Sequence, residues 1–310
     1  MSSPPILFLV FNRPEVTARV FAEIRAAKPS KLYVAGDGSR QDIGQDEIEK
    51  VRMTRAVITN NIDWKCEIKT LFRSENLGCC HSVSKAIDWF FDNEEEGIIL
   101  EDDCFPDQSF FGFSRELLEL YRDDDRIMCI TGGNFQNGLK RGEYSYYFSR
   151  IPHCWGWASW KQAWQKMRPA LNNFADIMKE NSLKKFTCNP NANHMWTRKF
   201  SKAHGREIDS WAYLWTFANF VNHGLTVSPN VNLIENIGFD SDSTHTKTPS
   251  EYVCVKRGRM EFPLSHPPYV CPDKDADNFD YRHHFNLHPV LYRPLSCLAD
   301  LKSYIFRILQ

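Results

Sequence analysis

No stretch near the start of this 310-residue chain combines a basic segment with a long apolar core. The longest apolar run there, residues 6–11, is too short for a signal peptide or a membrane span, so a cytoplasmic protein is expected. A charge excess is also missing: 38 Lys and Arg stand against 39 Asp and Glu, a net charge of -1, which gives no reason to expect nucleic-acid binding. The ten cysteines are scattered, with one adjacent pair, Cys79 and Cys80, and no CxxC or Cys/His cluster at zinc spacing. That usage reads as free thiols in a reducing compartment. There is no GxGxxG opening a helix after the first strand and no GxxxxGK[ST], which disfavours ordinary dinucleotide and P-loop sites. Internal repeats and low-complexity linkers are absent too.

What is there is ordinary globular composition, 42% hydrophobic and 25% charged, in a length that suits one large or two modest domains. Residues 6–11 read as a buried strand, and Asn12-Arg13-Pro14 then opens a helix with Val16, Val20, Phe21 and Ile24 on one face. A second strand over 31–35 stops at Gly36-Asp37-Gly38-Ser39; helical sequence over 46–58 and a strand over 66–72 follow. This alternation predicts an α/β fold, a mostly parallel sheet with helices on both faces. Ligands bind such sheets where strands end, so Arg13, Asp37, the 73–78 loop and residues 101–103 are candidates for one crevice.

The chain is organised around Gly97-Ile98-Ile99-Leu100-Glu101-Asp102-Asp103. A buried strand ends in three carboxylates, and side-chain alternation would put Glu101 and Asp103 on one side and Asp102 on the other. Three anions there need a compensating cation or good donors, and a hard divalent ion, Mg2+ or Mn2+, supplies one with oxygen ligands. The plainer reading makes these acids the cap of the helix expected over 108–121. Arg73-Ser74-Glu75-Asn76-Leu77-Gly78 opens another helix, whose N-terminal amides suit a phosphate or simply face solvent.

Farther on, His153-Cys154-Trp155-Gly156-Trp157 packs aromatics around a glycine, fit for a sugar ring or for a core. Glu207-Ile208-Asp209-Ser210-Trp211 opens a helical run; Asp209 there is a helix cap or a general base. His245 lies in a polar loop as a candidate imidazole ligand. From residue 248 prolines punctuate a patch containing His283, His284 and His288, which reads as a metal site or as a coil wrapping the domain. The final helical pattern, with Leu295, Leu298, Leu301 and Ile305, suits packing on the domain or a membrane surface. The economical division is a catalytic domain over 1–246 and a Pro/His-rich extension over 247–310 ending in an amphipathic helix.

The succession of Asn12-Arg13-Pro14, Asp37, Asn76-Leu77-Gly78, Glu101-Asp102-Asp103, a Gly-Trp loop, an Asp before Trp211 and a late His resembles a GT-A-fold glycosyltransferase. The Glu-Asp-Asp form is similar to the N-acetylglucosaminyltransferase I type and related bacterial sugar transferases. The resemblance covers residues 5–246 and is strongest over 73–115. It implies that Arg13 and Asp37 hold the nucleotide base and that Arg73, Asn76, Gly78 and His81 lie along the nucleoside. Glu101 and Asp102 would approach the ribose and sugar, and Asp103 would bind a metal shared with the donor phosphates, with His245 contacting metal or phosphates. His153, Trp155, Gly156, Trp157 and Trp211 would shape the sugar and acceptor pocket, and Asp209 would be the base, with Glu207 its rival. The implied reaction is metal-dependent inverting transfer of a sugar from a nucleotide diphosphate, a UDP-sugar favoured, to a glycan or lipid-linked hydroxyl in surface polysaccharide synthesis. The rivals are a sugar-nucleotide pyrophosphorylase or other metal-dependent phosphate enzyme, and an idle binding module.

Overall fold

The computed structural model describes residues 3–41, 43–180, 183, 187, 189–238 and 255–287. His245, His288 and the C-terminal helical pattern lie outside these residues. The first half of the chain alternates β1 (Ile6–Val10), α1 (Pro14–Ala27), β2 (Lys31–Gly36), α2 (Gln45–Thr59), β3 (Glu67–Phe72), α3 (Cys79–Asn93) and β4 (Glu96–Glu101). Next come β5 (Cys104–Pro106), α4 (Gln108–Leu120), β6 (Ile127–Thr131), β7 (Tyr146–Ser149) and β8 (Trp157–Trp160). Helices α5 (Lys161–Gln165), α6 (Met167–Asn172), α7 (Phe174–Lys179), α8 (Pro190–His204) and α9 (Trp211–Val221) follow. The described chain closes with β9 (Leu225–Pro229), β10 (Ile234–Asn236) and α10 (Lys274–His283).

Eight strands form one sheet in the order β3-β2-β1-β4-β8-β6-β9-β7, and β5 pairs with β10 in a separate ribbon. Strands β3, β2, β1 and β4 are mutually parallel; β8 runs against β4 and β6, β9 runs with β6, and β7 runs against β9. Only β8 and β7 therefore oppose the common direction. This is a mixed α/β architecture with a large, mostly parallel sheet flanked by helices. Parallel strands covered on both faces have no solvent side, which is why β1 is apolar throughout and every one of its residues is buried.

Helix α1 contacts both α2 and α4, and α3 contacts α5 and α9. Pro14 sits in the first turn of α1, whose Val20, Phe21 and Ile24 are buried. Asp107 caps α4 by accepting from the Ser109 amide at 2.8 Å. That assignment removes Glu101, Asp102 and Asp103 from the capping role, since the cap lies beyond them.

Residues 255–287 pack against this body. Arg257 pairs with Glu23 at 3.0 Å and donates to the Pro106 carbonyl, and the Met260 amide donates to Ser109 Oγ. Helix α10 is capped by Asp273 and buries Asp277 and Asp280 against β7 and the loop before β8. A helix within the wrapping segment was not expected; Pro272-Asp273 followed by Asp275 and Asp277 is its N-terminal signature.

Candidate functional site

The strand order reverses between β1 and β4: the chain leaves β1 toward β2 and β3, then returns to the other flank. The C-terminal ends of both strands meet at this switch point, with Leu9 beside Glu101 in register. Arg13, just past β1, spans the point and bonds through Nη2 to Asp102 Oδ1 and, at 3.1 Å, to Asp103 Oδ2. Strand β4 stops at Glu101 and the next two residues turn, so Asp102 and Asp103 converge on one guanidinium; the expected alternation places them wrongly because it assumes a continuing strand. The compensation for the acids comes first from Arg13, which is committed to them rather than presented to a nucleotide base.

One guanidinium does not balance three carboxylates. Burial, then Asp103 and Asp102, push the Glu101 carboxyl up to about 8, with Arg13 opposing. Burial also raises Asp102, to about 6, against the pull of Arg13, and its Oδ2 has no hydrogen-bond partner among the described residues. Excess anionic oxygen at a strand end is the donor chemistry that hard divalent ions take. Among the described residues no three His, Cys, Asp or Glu side chains form a ready coordination cage. Gly238 closes over the pair, and any Cβ at that position would strike Asp103 and Arg13.

Asp37, at the end of β2, is buried and accepts the Leu77 amide through both oxygens, at 3.1 and 2.9 Å. Burial raises its carboxyl, opposed by the Leu77 and Gly38 amides, the Ser82 hydroxyl and the charge of Arg73. Asn76 holds the same turn, donating to the Gly38 carbonyl at 2.7 Å and accepting from the Gly78 amide at 3.2 Å. Arg55 donates to the carbonyls of Asp37 and Arg73. Arg73 Nη1 and Arg55 Nε are buried with no partner among the described residues, two donors awaiting an acceptor beside this loop.

The amides that open α3 are occupied. Asp209 accepts from the Cys79 amide through Oδ2 and from the Cys80 amide through Oδ1, both at 2.8 Å. A phosphate on those two amides, as expected above, would have to displace a carboxylate the chain itself supplies. Gly78 makes the approach possible: its φ is 79°, and a Cβ there would lie 2.9 Å from Asp209 Oδ2. Burial, then Glu101, Asp209, Cys80 and Asp103, raise the Cys79 thiol, so Asp209 and the acidic turn act on one position. Glu207 is exposed and pairs with Lys202 at 3.5 Å. His81 is exposed on α3 and lines a cavity of about 650 Å³ with Lys85 and Arg168.

The aromatic loop divides. Trp157 is fully buried, stacked on Trp211 with centroids 5.7 Å apart, and Trp215 and Trp164 complete the cluster. Trp157 and Trp211 are core residues and leave the expected sugar pocket, because a ring closed in by three others has no face for a ligand. His153 also leaves it, buried with Nε2 3.0 Å from Asp280 Oδ2. Burial holds His153 down at about 3 and raises Asp280 to about 8, so the pair keeps one proton between them across neutral pH. Half-buried Trp155 and buried Gly156 stay candidates; Gly156 adopts φ 60°, and a Cβ there would strike Ile234 and Leu100. Half-buried His284 lies against Phe135 with ring centroids 4.3 Å apart, and desolvation lowers it to about 3.

No family model matches the sequence, and no curated protein matches it. Among solved structures, mouse xyloside xylosyltransferase 1 in its apo form is similar over 70% of this chain and 81% of its own, with 12% identity and a TM-score of 0.37. HddC from Yersinia pseudotuberculosis is similar over 51% of this chain and 77% of its own, with 9% identity and a TM-score of 0.31. A UDP-glucose pyrophosphorylase complexed with UDP-glucose is similar over 53% of this chain and 80% of its own, with 9% identity and a TM-score of 0.31.

Proposed function

We propose that this chain is a metal-dependent inverting glycosyltransferase moving a sugar from a nucleotide diphosphate, a UDP-sugar favoured, to a hydroxyl of a glycan or lipid-linked acceptor, in surface polysaccharide synthesis. The observation that carries the reading is the ion-pair cluster at the β1/β4 switch point, where Arg13 gathers Asp102 and Asp103 beside Glu101. Asp37, Arg73 and Asn76 shape the nucleoside side, and the orphan donors of Arg73 and Arg55 suit carbonyl or hydroxyl oxygens of a nucleoside. Asp103 would hold Mn2+ or Mg2+, with His245 as a further candidate; a bound cation supplies neutralisation of charge developing on the leaving β-phosphate. Trp155 and Gly156 offer the sugar wall.

Asp209 is the base in this reading. Two of its roughly four lone-pair positions are taken by the α3 amides, which fix the carboxylate and leave others for an acceptor hydroxyl. Removing that proton lets the hydroxyl attack the anomeric carbon opposite the leaving diphosphate, and a single displacement inverts it. Asp209→Asn keeps one amide acceptor and loses the base, so turnover should fall about 100-fold or more with donor affinity retained. Unchanged turnover would transfer the role to Glu207.

A pyrophosphorylase needs a glycine-rich first loop with a free basic residue for a triphosphate. Here that loop is Phe11-Asn12-Arg13-Pro14-Glu15, without glycine and with Arg13 engaged by Asp102 and Asp103. Metal-dependent donor hydrolysis with no glycan acceptor would favour another metal enzyme; nucleotide binding without turnover would favour the binding module.

A further inference from the structure

We propose that α8 forms a cleft for the phosphate or diphosphate of the acceptor, a recognition element that rests on the transferase reading and narrows its acceptor to an organic phosphate. A cavity of about 650 Å³ opens along α8, and its charged lining is Arg198, Lys199, Lys202 and His194, with no carboxylate among the lining residues. Three permanent cations thus face one space in a protein whose overall charge is -1. Arg198 and Lys202 stand four residues apart on the helix, a like-charge spacing that destabilises a helix unless an anion lies between the two. Among the described residues Arg198 and His194 have no side-chain hydrogen bond or ion pair, whereas Lys202 is balanced only by exposed Glu207 at 3.5 Å. Cations in the last turn suit the helix dipole, which accounts for Lys202 but not for Arg198 and Lys199 farther back.

Lys199 is held in place. Its ammonium donates to Tyr213 Oη at 3.0 Å and lies 4.7 Å from that ring's centre, with Trp196 and Phe285 packed alongside. A lysine fixed this way loses little further freedom on meeting an anion. The same cavity is lined by Met195, Ile208 and Leu287, so its charged wall faces an apolar one, as the junction between a phosphate and a hydrocarbon or sugar requires. Ile208 is the residue before Asp209. An acceptor anchored here by its phosphate would therefore present a hydroxyl of its first sugar toward the proposed base.

The test is isothermal titration of the full chain in EDTA with inorganic pyrophosphate and, separately, dodecyl phosphate below its micellar concentration. Wild type should bind both, more weakly at high salt, and Arg198→Glu should weaken both by roughly tenfold or more, with exposed Arg198→Gln intermediate. Tighter binding of the alkyl phosphate would identify a lipid-linked acceptor, and equal binding a soluble glycosyl phosphate; either supports the cleft. Absence of binding, or binding indifferent to both Arg198 variants, overturns it. Nucleotide-sugar stabilisation with Mn2+ is measured on the same samples: donor binding without pyrophosphate binding refutes the cleft alone, and no donor binding refutes the transferase reading on which it depends.

Discussion

Arg13→Gln is the sharpest perturbation of the switch-point cluster. Among the described residues the guanidinium is the one cation bonded to Asp102 and Asp103, and side-chain exposure at the three positions is 17%, 5% and 18%. Removing one partner of a buried pair costs about 3–5 kcal/mol; solvent reaching Arg13 and Asp103 puts the loss near the lower end, about 3 kcal/mol. In a chain of this size that is roughly a 5 °C fall in melting temperature. The deficit must depend on pH. Glu101 and Asp102 are raised, to about 8 and about 6, so each binds its proton in the native state at a pH where the unfolded chain has released it. Stability from such groups is lost as pH rises toward the folded pKa and regained on acidification, and without Arg13 both should rise further. Scanning calorimetry in EDTA should find the Arg13→Gln deficit largest near pH 8 and shrinking below pH 6. A deficit constant from pH 5 to 8 would refute the reasoning, because it would mean that Arg13 packs rather than neutralises.

Two other consequences are separable. His153 and Asp280 together hold one proton from about pH 4 to 8, whereas the unfolded pair holds one only up to the ordinary histidine pKa near 6.5, so this pair should cost stability as pH rises from about 6.5 to 8 and be neutral below. Asp280→Asn should flatten that decline in urea titrations; an unchanged slope assigns it to other groups. Trp157→Phe should lower stability by about 1–3 kcal/mol by opening space beside Trp211 and Trp215 while leaving donor KM within twofold, and a KM shift without destabilisation would return Trp157 to the sugar pocket.

Much of the fold is legible where the sequence is locally consistent. The apolar runs of β1 and β4 and the one-sided faces of α1 and α3 declare themselves, since parallel strands buried on both faces cannot carry polar alternation. Strand β8 hides because Trp157–Trp160 reads as an aromatic loop, and only its pairing with β4 and β6 makes it a strand. The site residues are visible singly, as polar groups at strand ends, but their partnerships are not. Arg13 meets Asp102 from 89 positions away, and Asp209 meets the α3 amides from about 130, distances over which local pattern carries no information. The same limit made Trp157 and Trp211 ambiguous: a tryptophan beside glycine looks alike in a pocket and in a core until its neighbours are known.

In the proposed function Asp103 belongs to a donor and metal site. Thermal shift of wild type and Asp103→Ala with nucleotide diphosphates and sugar nucleotides, each with and without Mn2+, tests it most directly. A ligand at a hundred times its dissociation constant adds about 2.7 kcal/mol, roughly 4 °C here. Stabilisation by one nucleotide donor that requires Mn2+ and disappears in Asp103→Ala is the predicted result. No stabilisation by any donor, or stabilisation that survives in Asp103→Ala, would contradict the assignment and leave Glu101, Asp102 and Asp103 as a structural ion-pair cluster closed by Arg13.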